Sequence, residues 1–116
     1  MLHAEVRSLE PRDWLMLSSQ CALGVYEHGR SGVWSRVLPN GVRHSLWYFV
    51  PSAEDQRTAR RLAAPAHYVE PGWRISPSSR EDGADLTWNN VLWQLRQGAW
   101  VCEGAPDEPP IRVTWR

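Results

Sequence analysis

The side chains of this 116-residue chain best equipped for acid–base or metal chemistry are His3, His28, His44 and His67. They stand far apart in the sequence. Metal sites commonly draw ligands from short spacings such as HxxxH or CxxC, because one turn of chain then delivers two ligands together. Cys21 and Cys102 form neither a CxxC nor a Cys-His pair, and the sequence predicts no metal site. The nucleophile contexts GxSxG and SxxK are missing as well. Gly29-Arg30-Ser31-Gly32 offers backbone amides to an anion but lacks the helix start or GK[ST] ending of a phosphate loop. No cofactor is therefore expected. A general base, if the chain has one, is His28 or His44, because strand alternation would put Tyr26, His28 and Arg36 on one sheet face with His44.

Arginine and tryptophan offer a different chemistry. Eight tryptophans, at positions 14, 34, 47, 73, 88, 93, 100 and 115, are spread over the whole length. Several have an arginine close by in sequence: Trp34 and Arg36, Trp47 and Arg43, Trp73 and Arg74, Trp115 with Arg112 and Arg116. Trp, Tyr and Arg dominate binding hot spots, and guanidinium groups stack on indole. Arg57, Arg60 and Arg61 add a cationic cluster, and together with Trp73 and Arg74 they form the expected partner-binding patch. All thirteen basic residues are Arg, as a GC-rich bacterial or phage coding sequence would produce.

These side chains need elements to hold them. Val33 to Val50 reads as a central β-hairpin, with Pro39-Asn40-Gly41 supplying a type I turn and a glycine bulge. That loop sets Arg36 opposite His44, Trp34 opposite Leu46 and Val33 opposite Trp47. Leu46 to Val50 is apolar on both faces, the pattern of a strand covered on both sides. After Pro51, Ser52 as N-cap and Asp55 as its box partner open a helix over about 52–64, stopped by Pro65. Two further helices are expected. One runs over about 10–23 from Pro11, with Trp14, Leu17 and Cys21 at helical spacing. The other, over about 86–97, carries Trp88, Val91, Leu92 and Leu95 as a core stripe and stops at Gly98. Strands are expected at His3 to Leu9, Ala22 to His28, His67 to Glu70, Trp73 to Ser76, Ala99 to Glu103 and Ile111 to Trp115. The sum is an α+β fold: a single globular domain over 1–116, mainly antiparallel, with two or three helices packed on the sheet.

Composition narrows the function classes. A formal net charge of zero argues against a general polyanion binder, although Arg30 to Arg80 holds eight arginines against three acids. No apolar run is long enough to cross a membrane and no signal-type start is visible, so a cytoplasmic address and no membrane contact are expected. The two cysteines sit in apolar surroundings and read as buried free thiols. The reading that follows is a small protein-binding domain of immunity or inhibitor type that masks a partner protein, rather than an enzyme. Two other classes compete with it: a nucleic-acid binder using the basic Arg30–Arg80 region with Trp stacking, and a small enzyme acting through His28 or His44. The final strand, 111–115, would be a sheet edge open to self-association.

Overall fold

The computed structural model describes residues 3–8, 23–29, 32–39, 41–77, 91–103 and 111–116. Its strands are β1 (His3–Ser8), β2 (Gly24–His28), β3 (Trp34–Val37), β4 (Arg43–Phe49), β5 (Gly72–Ser76), β6 (Trp93–Arg96), β7 (Ala99–Cys102) and β8 (Ile111–Trp115). Helix α1 (Ala53–Arg61) and a 3-10 turn, Ala66–Val69, lie between β4 and β5. All eight strands belong to one antiparallel sheet in the order β7-β6-β5-β4-β3-β2-β1-β8. Each strand from β1 to β7 pairs with its sequence neighbours, and β8 returns to pair with β1. The sheet curls into a nearly closed up-and-down barrel, and among the described residues no ladder joins β7 to β8.

The central hairpin shows how local chemistry sets register. Gly41 has φ +86°, a left-handed conformation that glycine adopts without steric cost. The Gly41 amide donates to the Leu38 carbonyl and the Leu38 amide to the Val42 carbonyl, both at 2.8 Å. Arg36 then faces His44, and Trp34 faces Leu46, as the three-residue loop requires.

Alternation sorts side chains between two cores. Ala4, Val6, Tyr26, Leu46, Ile75, Trp93, Cys102 and Ile111 fill the barrel interior. On the outside, Val33, Trp47 and Phe49 pack against Ala59 of α1, with Tyr68 and Val69 of the 3-10 turn beside them. The helix is held by its cap. Ser52 Oγ accepts from the Asp55 amide at 3.0 Å, and the Asp55 carboxylate accepts from the Ser52 amide at 2.8 Å.

The α+β class with two or three packed helices is overturned, since the described residues hold eight strands and a single α-helix. The helix expected over 86–97 is not formed where it can be checked. Trp93 to Arg96 is a strand paired with β5 and, through a two-residue turn, with β7. Gln97 (φ 52°) and Gly98 (φ 81°) are both left-handed, the twist that joins adjacent antiparallel strands. Trp93 and Leu95 face inward and Gln94 and Arg96 outward, a period of two that the helical reading of Val91, Leu92 and Leu95 passed over. His67 to Glu70 is not a strand either; after Pro65 the chain takes one tight 3-10 turn. The helix expected over 10–23 lies almost wholly outside the described residues.

Candidate functional site

One end of the barrel is lined with aromatic rings. Trp34 starts β3, Tyr48 nearly ends β4, Trp73 lies near the start of β5 and Trp115 ends β8. Alternation turns all four toward the barrel axis, at the level where Tyr48 pairs with Trp73. Trp34 and Trp115 have centroids 4.9 Å apart, Trp73 and Trp115 4.8 Å, and Trp34 and Trp73 5.7 Å. Tyr48 meets Trp73 edge-on at 5.7 Å and His28 meets Trp34 at 4.6 Å. Tilted and edge-to-face contacts at these distances let positive ring edges meet negative faces. The cluster is not sealed: Tyr48 is 51% and Trp115 45% exposed, and Val50 beside them is exposed too. The indole N–H of Trp34 is buried with no acceptor among the described residues.

The residues expected to form a partner-binding patch do not share one surface. Arg57, Arg60 and Arg61 are exposed on α1, outside the barrel. Trp73 belongs to the aromatic mouth. Arg74, its neighbour, points to the opposite face of the sheet and has no exposed surface at all. Its guanidinium carbon lies 3.9 Å from the centre of the Phe49 ring, and Nη2 donates to the Tyr68 carbonyl at 3.0 Å. Arg74 is therefore corrected from a contact residue to a buried strut. It ties the 3-10 turn to the sheet.

The acid–base candidates share the inner face but not a site. His28 is exposed at the aromatic end, whereas His44 is buried across from Arg36 toward the other end, two strands away. Tyr26 is fully buried between them in the core. Neither the groove between β7 and β8 nor the cleft beside α1 is lined by any of the three. The arginines of Arg30–Arg80 are likewise dispersed: Arg74 is buried, Arg36 is half-buried over Gly24, and the α1 trio lies outside. Arg30 and Arg80 lie outside the described residues.

Sequence reasoning missed one polar cluster. His67 Nε2 sits 3.2 Å from both carboxylate oxygens of Glu103, and the Gln94 side-chain amide donates to the His67 carbonyl at 2.7 Å. The Tyr68 hydroxyl also bonds Glu103, and burial first, then this bond, raises its pKa above the ordinary phenol value. A histidine oriented by a carboxylate is half of a catalytic relay; here the contacts fasten the 3-10 turn to β6 and to the residue that follows β7. No cue in the sequence pairs residues 67 and 103. Cys102 is buried in the barrel interior, and Cys21 lies outside the described residues.

Among the described residues no group of three or more His, Cys, Asp or Glu could hold a metal ion, and no helix is long and apolar enough to cross a membrane. Comparison with protein-family models, with curated proteins and with solved structures finds no match.

Proposed function

We propose that this protein is a small cytoplasmic binding domain that occupies and masks a partner protein, with the aromatic mouth as its contact surface. The observation that carries this reading is the half-exposed cluster of Trp34, Trp73, Trp115 and Tyr48 at one end of the barrel. Large rings already ordered by one another lose little side-chain entropy on binding, and Trp and Tyr are the residues whose truncation costs interfaces most. A partner carbonyl or carboxylate at the mouth would also give the Trp34 indole its acceptor. The α1 arginines contribute long-range attraction from a different side of the molecule.

The test is a tagged pull-down from the native host's lysate at low and high salt, with nuclease, comparing wild type with a Tyr48→Ala/Trp115→Ala variant and an Arg57→Ala/Arg60→Ala/Arg61→Ala variant. The expected result is one stoichiometric protein partner that survives salt and nuclease. The mouth variant should lose it by at least about thirtyfold in affinity, the scale of a 2 kcal/mol hot spot, and the arginine variant should keep it. Retention by the mouth variant, or recovery of nucleic acid in place of protein, overturns the reading.

A further inference from the structure

Among the described residues no ladder joins β7 to β8, so two strand edges border one groove, and hydrogen-bond alternation shows which groups line them. His3 and Arg116 exchange both backbone bonds, at 3.0 and 2.8 Å. In an antiparallel pair bonded and non-bonded positions alternate, so Thr114 and Arg112 also bond inward to Glu5 and Arg7 of β1. The amides and carbonyls of Ile111, Val113 and Trp115 consequently point away from β1, into the seam. On the other bank the Glu103 amide donates to the Leu92 carbonyl at 2.8 Å, which makes Val101 and Ala99 the bonded positions and turns the Trp100 backbone into the same seam. Between the banks runs a groove of about 340 Å³, with Leu95, Ala99 and Trp100 on one side and Ile111, Arg112 and Val113 on the other.

We propose that this seam takes one extended segment of another protein as an added strand, apolar where it faces the barrel interior and acidic at the alternate positions facing out. The seam-facing amides and carbonyls give the added backbone its hydrogen bonds. Inside, Leu95, Ile111 and Val113 continue the apolar core, so inward positions of the guest are apolar. Outside, β8 presents Arg112, which is exposed and has no ion-pair partner among the described residues, so outward positions are acidic. A lone strand is the occupant because β7 stands across the groove: a second copy would have to bring in β8 already backed by its own β1. The proposal stands on different groups from the aromatic mouth and survives if the mouth binds nothing.

The test uses amide hydrogen exchange on 15N-labelled protein, alone and with a capped nonapeptide alternating valine and glutamate. A peptide of the same composition, with its valines and glutamates in separate blocks, serves as control. In the free protein the amides of Trp100, Ile111 and Val113 should exchange at least a hundredfold faster than those of Glu5 and Thr114. The alternating peptide should slow them at least tenfold and the block peptide should leave them unchanged. Val113→Pro removes a seam-facing amide without touching the β1 ladder and should weaken the alternating peptide at least tenfold, while Arg112→Glu should weaken it and favour a valine–arginine peptide instead. Protection of the seam amides in the free protein would mean that β7 and β8 pair with each other and would overturn the proposal, as would equal binding of the two peptides.

Discussion

Replacing Arg74 by alanine tests the two-core architecture more directly than any change at the surface. In the native state this arginine has no exposed surface, stacks on Phe49 at 3.9 Å and donates to the Tyr68 carbonyl at 3.0 Å. A hydrogen bond from a charged donor is worth about 1.5–3 kcal/mol, and a desolvated cation–π contact about 2 kcal/mol. The two overlap, and truncation also removes the packed stem and leaves the Tyr68 carbonyl without this donor, so a loss of about 3–5 kcal/mol is expected, the range for truncating a large buried side chain to alanine. In a domain of this size that lowers the melting temperature by about 12–20 °C. Arg57, exposed on α1, provides the contrast, with an expected effect of Arg57→Ala within about 0.5 kcal/mol. Urea titration followed by tryptophan fluorescence, with thermal melts by circular dichroism, measures both. If Arg74→Ala costs less than about 1 kcal/mol and behaves like Arg57→Ala, Arg74 is solvated, and the helix-covered outer core is not as described.

Two further outcomes follow from local geometry and from titration. A methyl group at Gly24 would lie 2.5 Å from Arg36 Nε on a backbone with φ +137°, so Gly24→Ala should lower stability by about 1–3 kcal/mol in a urea titration, and an unchanged midpoint would mean that Arg36 does not lie over β2. Because the Tyr68 phenol is raised in the folded protein, its contribution is fully present below the ordinary phenol pKa of about 10 and is lost as pH rises through the folded value. Urea midpoints between about pH 9 and 11.5 should fall more steeply for wild type than for Tyr68→Phe, and parallel curves would show that the Glu103 contact does not stabilise the protonated phenol.

How much of this was legible varies element by element, for physical reasons. The turn at Pro39-Asn40-Gly41 and the alternation on either side of it carry register in themselves, and Arg36 and His44 face each other accordingly. Ser52 and Asp55 are close in sequence and make a cap wherever the helix sits. The segment after residue 90 was ambiguous, because Leu92 and Leu95 fit a helical stripe while Trp93, Leu95, Trp100 and Cys102 fit two strands. Gly98 stops a helix or closes a hairpin with equal ease. What decides is Ile75, whose pairing with Trp93 is tertiary. Arg74 was misread for a similar reason: in strand alternation an arginine beside two apolar residues belongs to the wet face, and nothing local says that α1 and the 3-10 turn cover that face. The aromatic mouth assembles Trp34, Trp73 and Trp115 from strands spread over most of the chain, so the sequence displayed its members without their meeting.

The ladder between β1 and β8 has a consequence for how the molecule comes into being. Every other ladder joins strands consecutive among those described, and β3–β4 and β6–β7 can zip from their own short turns, whereas Ala4 must find Trp115 across more than a hundred residues. Loop-closure entropy rises only slowly with length, so the cost in stability is small, but the search places this pairing late. During synthesis β1 emerges before β8, and the outer edge of β1 waits for β8. The hazardous species for aggregation is then a seven-stranded curl whose open β1 edge is still unclaimed, and changes that slow the docking of Ile111 to Trp115 should lower folding yield before they lower the stability of the finished protein.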